Sequence, residues 1–501
     1  MSKTTLVLLI VGCYCVIVSI VGIIAGRNSK KTTSDYFLAD RKVSAIVSFF
    51  TLTASFYSSY LLMGCIGGFY TNGFGMTMAI GYCAAYGLWY WVLGGPIHLL
   101  GKKFGHSTPA NLIEHYYESP LLGALVSIVL CVFTVPYLSM QYAAMGQAFS
   151  MITDGVISYQ VGAIILGGIC CFFTFIGGFK SVAWTDFIQA AFFMVIAWVL
   201  GIYFLIQTGG PTQMFENLIE TDPALVSLPG PTGFYTWGVW LSFFLLYTVI
   251  PAIRPDTFQR AYAVESLASW KKACVHTAWV LPVTYIITMF TAFGLRLYVP
   301  GLEGTQSEQA LIAFFNTRNP LIGIFILTAA MAASVSTISS LLLVSSQYLT
   351  QDIIDRFMPG KFSDGMLTKI GQVFTVVLSV ISIFGTFKEI DFMIVVTALF
   401  YGFGCILWPL LGCILWPRGT KAGSIACILV SCAVIVFLNL GGFGTYVGGL
   451  HFIAWGIIIG GVVYVVVSLL TPPPSENRIQ EYHGYLREAF WGKFNVKQTN
   501  R

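Results

Sequence analysis

Runs of 18 or more nearly uncharged residues recur along the whole chain, separated by short polar stretches. A run of that length is long enough to cross a bilayer as a helix. Thirteen spans are predicted, at 4–26, 44–66, 74–100, 120–149, 158–178, 184–207, 233–253, 273–297, 319–350, 366–386, 390–416, 422–440 and 448–470. The longest loops, 208–232 and 298–318, are acidic and contain Gly and Pro, which suits gating elements or a short helix outside the membrane. The expected organisation is one membrane domain, residues 1–470, and a small tail, 471–501, opened by the helix-stopping Thr471-Pro472-Pro473-Pro474. Trp491 and Phe494 suit a tail lying near the headgroups; plain disorder is the alternative.

Two spans are interrupted by polar residues. The second contains Ala54-Ser55-Phe56-Tyr57-Ser58-Ser59-Tyr60 followed by Gly64, Gly67 and Gly68, and the seventh ends Tyr247-Thr248-Val249-Ile250-Pro251-Ala252-Ile253-Arg254-Pro255. Interrupted helices five spans apart are the pattern of an inverted-repeat carrier, in which broken helices meet at the membrane midplane. Core repeats of about 44–207 and 233–416 are predicted, with three helices outside them.

A third span, 319–350, holds the cluster Ala333-Ser334-Val335-Ser336-Thr337-Ile338-Ser339-Ser340. At 3.6 residues per turn Ala333, Ser336, Thr337 and Ser340 share one face, with Ser339 beside them. Such a stripe is able to ligate a small hard cation through neutral oxygens. Small residues at this spacing also let two helices pack closely, and the pattern alone leaves both readings open.

Composition agrees with the span pattern. Charged residues are 9% of the 501, against roughly 25% in soluble domains, and mean hydropathy is +0.79. With the N-terminus outside, 22 of the 26 Lys and Arg residues fall on the inner side, leaving only Lys3, Arg296, Arg318 and Lys388 outside. The net charge of +5 is therefore a topology signal and no sign of nucleic-acid binding. The first span is too long for a signal peptide and is kept as a helix. The 12 cysteines lie almost entirely within spans, without metal-site spacing, and disulfides are not expected.

No enzyme constellation is visible. The stretch Gly95–Lys103 resembles a phosphate loop but has the wrong spacing and a lysine where Ser or Thr is needed. His98, His106 and His115 sit at or beyond helix ends, where interface anchoring is the expected role. Asp186 is the exceptional ionisable residue within a span, a functional carboxylate or an interfacial helix N-cap. A proton-driven carrier needs a titratable relay through the membrane. The hydroxyls, amides and tyrosines here suit a metal cation bound by neutral oxygens, and Na⁺ is the available candidate.

Asp35-Tyr36-Phe37-Leu38-Ala39-Asp40-Arg41, the stretch Gly177-Gly178-Phe179-Lys180-Ser181-Val182-Ala183-Trp184-Thr185-Asp186-Phe187-Ile188-Gln189, Phe258-Gln259-Arg260 and the hydroxyl helix occur in that order. From about residue 5 to 470 the chain resembles the sodium:solute symporter family. The resemblance implies a leucine-transporter-like inverted 5+5 repeat. It also implies a sodium site of the Ala54, Tyr57 and Ala333 carbonyls with the Ser336 and Thr337 hydroxyls. A second sodium site, found in some members, maps to Asp186, Ser339 and Ser340.

Proline carriers have Asp where this chain has Phe56, and sugar carriers have Glu-Gln where it has Tyr60-Leu61. Phe56–Tyr60 and Pro136–Gln141 look more like monocarboxylate carriers, and Gly177–Gln189 is closer to pantothenate carriers. The implied function is alternating-access symport of Na⁺ with a small carboxylate. Ser58, Ser59 and Gln141 would contact the carboxylate, while Tyr60, Tyr137 and Tyr247 would wall or gate the pocket. The alternatives are a proline, other amino-acid or sugar symporter of the same family, or a proton-coupled carrier. The expected setting is the plasma (inner) membrane, crossed many times, with the N-terminus outside and the C-terminus cytoplasmic. The expected partners are the co-transported solute and the lipid bilayer.

Overall fold

A computed structural model describes residues 3–27, 29–30, 32–386, 392–441 and 446–492. Lys31, Lys388, Lys493, Phe494, Lys497 and Arg501, which entered the predicted topology and tail, lie outside that set. The chain is almost wholly helical. α1 (Lys3–Gly26) and a short α2 (Thr33–Leu38) lead to α3 (Ala45–Tyr57), α4 (Gly64–Asn72) and α5 (Met78–Phe104). Next come α6 (Pro109–Tyr117), α7 (Pro120–Ile152), α8 (Tyr159–Gln207) and α9 (Pro211–Thr221). α10 (Trp237–Val249), α11 (Pro255–Ala263), α12 (Leu267–Tyr298) and α13 (Thr305–Arg318) follow. α14 (Pro320–Gln347), α15 (Asp364–Gly385), α16 (Phe392–Leu415) and α17 (Lys421–Leu440) precede a small hairpin, Tyr446–Val447 with Leu450–His451. α18 (Phe452–Leu470) and α19 (Glu476–Ile479) come last. The two long acidic loops do form short helices, α9 and α13.

Among the described residues eight helices are long and apolar enough to cross a membrane, or ten if each of two bent pairs is one span. The predicted count of thirteen differs by two joins and by segment 390–416, whose start lies outside the described residues and of which only the shorter apolar stretch Phe403–Leu415 bears on the count. Segments 158–178 and 184–207 run together as the 49-residue α8, without a loop, across a kink at Gly178. Segments 44–66 and 74–100 are linked by helical turns and pass only as one bent pair, Ala45–Tyr57 with Ser59–Phe104. The second bent pair is Trp237–Ile253 with Pro255–Ala263, and the bends are 62° and 44°. Gly95–Lys103 is helical within α5, so it forms no phosphate loop.

α14 is the central post. Its residues from Ile326 to Gln347 are all buried, against α3, α7, α8, α13 and α15. Around it the motif residues act as braces. A Cβ on Gly26 would lie 2.6 Å from the Gly177 Cα, so α1 and α8 touch backbone to backbone. Gly178 has φ +53, and a Cβ there would lie 2.3 Å from the Tyr36 carbonyl oxygen. The buried Asp35 holds Lys180 across the same contact. Gly178→Ala is expected to lower the melting temperature in detergent clearly. Left-handed backbone costs an L-residue about 1–2 kcal/mol, and overpacking adds about 1–3 kcal/mol.

The tail is packed on protein rather than lying free. Tyr482 and Leu486 are fully buried, and Phe490 is seated against Gly95 and Trp91 of α5. The Tyr482 ring stacks on Phe104 (5.0 Å, 14°). A polar chain runs through its hydroxyl: Arg478 Nη1 lies 3.0 Å from His115 Nε2, His115 Nδ1 2.6 Å from the Tyr482 oxygen, and that oxygen 2.9 Å from His106 Nε2. Arg478 only donates, so His115 accepts at Nε2 and donates from Nδ1, and the tyrosine donates to His106. Tyr116 lies 3.0 Å from His483 Nε2 in the same cluster. His106 and His115 thus join protein to protein, where interface anchoring was expected. His98, also expected to anchor, instead lies 3.0 Å from the Ala261 carbonyl oxygen.

The chain requires neutral imidazoles. Burial, then the neighbouring His115 and the charges of Arg41 and Arg478, hold His106 down to about 3. Burial and Arg478 lower His115 against the opposing pull of Glu481 and Glu118. Burial and Arg487 bring His483 to about 4, against a backbone bond from Gly412. Free imidazoles titrate near 6.5, so the undocked tail binds more protons. Docking is complete above that pH and is lost as pH falls from there toward 3–4. Hydrogen exchange, corrected for its intrinsic pH dependence, should show residues 476–492 protected at pH 7.5 and less so at pH 5.5. Tyr482→Ala should remove the protection at both, since truncating a buried aromatic costs about 3–5 kcal/mol.

Candidate ion and solute site

α3 ends at Ser58, whose φ of 48° and ψ of −171° turn the chain out of the helix. The last four carbonyls of a helix have no intrahelical partner, which frees those of Ala54, Ser55, Phe56 and Tyr57. The hydroxyl face of α14 stands beside them. Ser336 Oγ donates to the Ala54 oxygen at 3.2 Å and to the Ala333 oxygen at 2.8 Å, and Thr337 Oγ1 donates to the Ala333 oxygen at 3.1 Å. Ala54, Tyr57, Ala333, Ser336 and Thr337 are all fully buried. The stripe predicted from helical period thus faces the freed end of the broken helix. Neutral oxygens at hydrogen-bond spacing suit a small hard cation, which takes oxygen ligands. Among the described residues no group of three His, Cys, Asp or Glu is placed to hold a metal ion.

The residues of the second predicted cation site are divided. Ser339 Oγ donates to the Ser336 carbonyl at 3.1 Å. Ser340 and Asp186 converge on Arg260. Its Nη2 lies 2.7 Å from Ser340 Oγ and 3.0 Å from Asp186 Oδ2, and it also reaches Ser55 Oγ. Its Nε donates to Thr51 Oγ1 at 3.0 Å. A guanidinium therefore lies at the centre of this cluster. Asp186 is inside α8, fully buried, and does not cap a helix start.

Arg254 and Arg260 were counted on sequence as inner-loop charges. Both are buried, 5% and 1% exposed, because α11 folds inward under α3. With Asp186 and Asp256 they form an interior set of two cations and two anions. Hydropathy gives no sign of this, since the pairing of residues 74 positions apart has no signature in a single sequence.

Beyond the break lies a cavity of about 500 Å³. Ser58, Tyr60, Tyr137 and Tyr247 line it, with Phe56, Tyr82, Tyr86, Tyr285 and Arg254. It extends to Asn72, Thr232, Phe234, Gly304, Ser307 and Glu308, in the predicted outer loops and their flanks. Tyr82 and Tyr247 stack at 5.2 Å. Ser59 and Gln141 are not in this wall. Gln141 Oε1 accepts from Ser59 Oγ at 3.0 Å and from Ser334 Oγ at 3.1 Å, tying the broken helix to α14. Ser334, off the predicted hydroxyl face, has this bonding role. Sequence reasoning missed Arg254, whose signal was its place between Ile253 and Pro255 at the second break.

The model of the sodium:solute symporter family matches residues 36–431. The high-affinity proline transporter PutP of Bacillus subtilis (strain 168) is 26% identical over 93% of this chain and 98% of its own. The sodium/pantothenate symporter of Escherichia coli (strain K12) is 27% identical over 85% of this chain and 90% of its own. A solved outward-open, substrate-bound Na⁺-coupled sialic acid symporter superposes with a TM-score of 0.81 at 18% identity, covering 95% of this chain and 99% of that one.

Proposed function

The chain belongs to the sodium:solute symporter family, and from that premise we propose that it imports a small organic carboxylate together with Na⁺ by alternating access. It is a multi-pass membrane transporter and not an enzyme. The observation that carries the ion half is the contact of Ser336 Oγ with the Ala54 oxygen, at 3.2 Å, where a broken helix meets a hydroxyl stripe. Ala54, Tyr57, Ala333, Ser336 and Thr337 would hold the ion. Bound Na⁺ would draw α3 and α14 together and favour the outward-open arrangement. The bends at Ser58 and Arg254, 62° and 44°, support an inverted repeat whose two broken helices flank the solute cavity. A carboxylate of monocarboxylate or pantothenate type is supported by Phe56 and Tyr60 and by the pantothenate symporter among the relatives. Proline is the alternative the other relatives raise. Uptake into proteoliposomes, with Na⁺ replaced by choline at fixed pH gradient, tests the coupling. Accumulation that survives the replacement and follows the pH gradient would establish the proton-coupled rival.

The contacts of Arg260 with Asp186 and Ser340 favour one Na⁺ per cycle, the guanidinium serving as the second cation. Symport of one Na⁺ with a monoanion is electroneutral. A tenfold Na⁺ gradient then supplies about 1.4 kcal/mol, or tenfold accumulation. A second Na⁺, at Asp186, Ser339 and Ser340, would add the membrane-potential term of about 2.3 kcal/mol per 100 mV. Steady-state accumulation is expected to be indifferent to a K⁺/valinomycin potential, with a Na⁺ Hill coefficient near one. Potential-driven accumulation with a coefficient near two, both lost in Asp186→Asn, would restore the second site.

A further inference from the structure

Arg254 is placed differently from the other interior charges. It stands at the second helix break, between Ile253 and Pro255, with extended backbone (φ −63°, ψ 144°). It is the one cation among the cavity-lining residues. Its Nε and Nη2 donate to Asp256 at 3.0 and 3.2 Å, and Nη2 also reaches the Ser55 carbonyl at 3.4 Å. Nη1 donates to no described residue, yet it is not among the sealed polar atoms lacking a partner, so it keeps access to the cavity. The N–H donors of Nη1 are thus left without a described partner on a guanidinium that Asp256 holds in place at the cavity wall. The lining carboxylate, Glu308, belongs to the α13 turn that packs on Gly67. Elsewhere the wall is chiefly aromatic, with Phe56 against Tyr86 at 4.7 Å and Tyr82 against Tyr247 at 5.2 Å.

We propose that Arg254 anchors the solute's carboxylate through Nη1, and that the solute is a monocarboxylate with an apolar or aromatic body. This rests on the carboxylate reading above and goes beyond it in naming the cation and the body. Charge-assisted bonds to a carboxylate are among the strong hydrogen bonds, and aromatic rings reward a flat or apolar guest. Arg254 and Asp256 offset one another, so a bound monoanion leaves the interior one charge negative. Na⁺ at the Ala54 oxygen, one residue from the carbonyl that holds Arg254, restores the balance. Solute and ion should thus strengthen each other's binding reciprocally.

The test uses purified full-length protein, with hexanoate, phenylacetate and 3-phenylpropionate each compared with its amide. Binding is followed by thermal shift and calorimetry, with and without Na⁺. The wild type should bind at least one acid tenfold or more tighter than its amide, and only with Na⁺ present. Arg254→Gln should lose that preference 10–100-fold while its own Na⁺-induced stabilisation remains. Arg254→Lys should recover part of it, and Arg254→Gln with Asp256→Asn, which leaves no unpaired carboxylate, should behave as the single variant does. A role in folding alone would lower acid and amide alike. If the wild type prefers an acid and Arg254→Gln keeps the preference, the anchor is wrong and the carboxylate reading stands. If the wild type binds none of the acids, or the amides equally well, both fall.

Discussion

Ser336→Ala is expected to raise the Na⁺ concentration for half-maximal solute binding by tenfold or more, and Thr337→Ala to do likewise. Each change removes one of the five oxygens proposed to hold the ion, at a fully buried position. A tenfold loss corresponds to about 1.4 kcal/mol, within the range for one oxygen–cation contact against the hydrogen bond it replaces. The two hydroxyls share the Ala333 carbonyl, at 2.8 and 3.1 Å, so their effects should not add. Ser334→Ala is the control. It takes a bond from Gln141 but removes no ion ligand, so its Na⁺ affinity should move far less. Normal Na⁺ affinity, or Na⁺-independent uptake, in both Ser336→Ala and Thr337→Ala would overturn the site.

The second large effect is expected at Arg260. Replacing it by Met strands Asp186 in the interior, and breaking a buried pair from one side costs about 3–5 kcal/mol. Asp186→Leu alone strands Arg260, with Asp256 at 3.8 Å as partial relief, so it should cost less. The double variant, Asp186→Leu with Arg260→Met, should regain much of the loss, because both charges leave together. Melting of the four proteins in detergent gives the coupling directly, and a value above about 1 kcal/mol marks a true pair. Additive losses would mean that each residue is held mainly by Thr51, Ser55 and Ser340.

The two predictions differ in how far the sequence anticipates them. Ser336 and Thr337 are legible because helical period alone gathers a face, and four oxygens in an apolar run stand out. The break at Ser58 is legible too, since Ala54–Tyr60 interrupts a span with hydroxyls. Arg260 is not legible. Its positive charge, next to a proline-containing break, satisfies the rule that places Lys and Arg at membrane edges. Only the inward fold of α11 turns it into a core residue. Gln141 was expected to contact the solute's carboxylate, whereas its partners are Ser59 and Ser334, 82 and 193 positions away. At Gly178 the glycine pair falls between two predicted spans, and the chain there takes one non-helical residue between two helical stretches that follow each other without a loop.

The docked tail has a mechanical consequence. The loop that carries His106 ends at Thr108, and Asn111 follows in α6; the side chains of both donate to Asp352, at 2.8 and 2.7 Å. Gln347 donates to the Ser107 carbonyl at 3.1 Å. Gln347 ends α14, and Asp352 lies in the helical turn that continues it. Tyr482, the loop and the hydroxyl helix are therefore links in series. A motion that parts α6 from α14 must stretch this linkage, so the work of lifting the tail adds to the work of opening that end of the protein. The docked tail acts as a counterweight, set well away from the proposed ion site yet weighing on the helix that would form it.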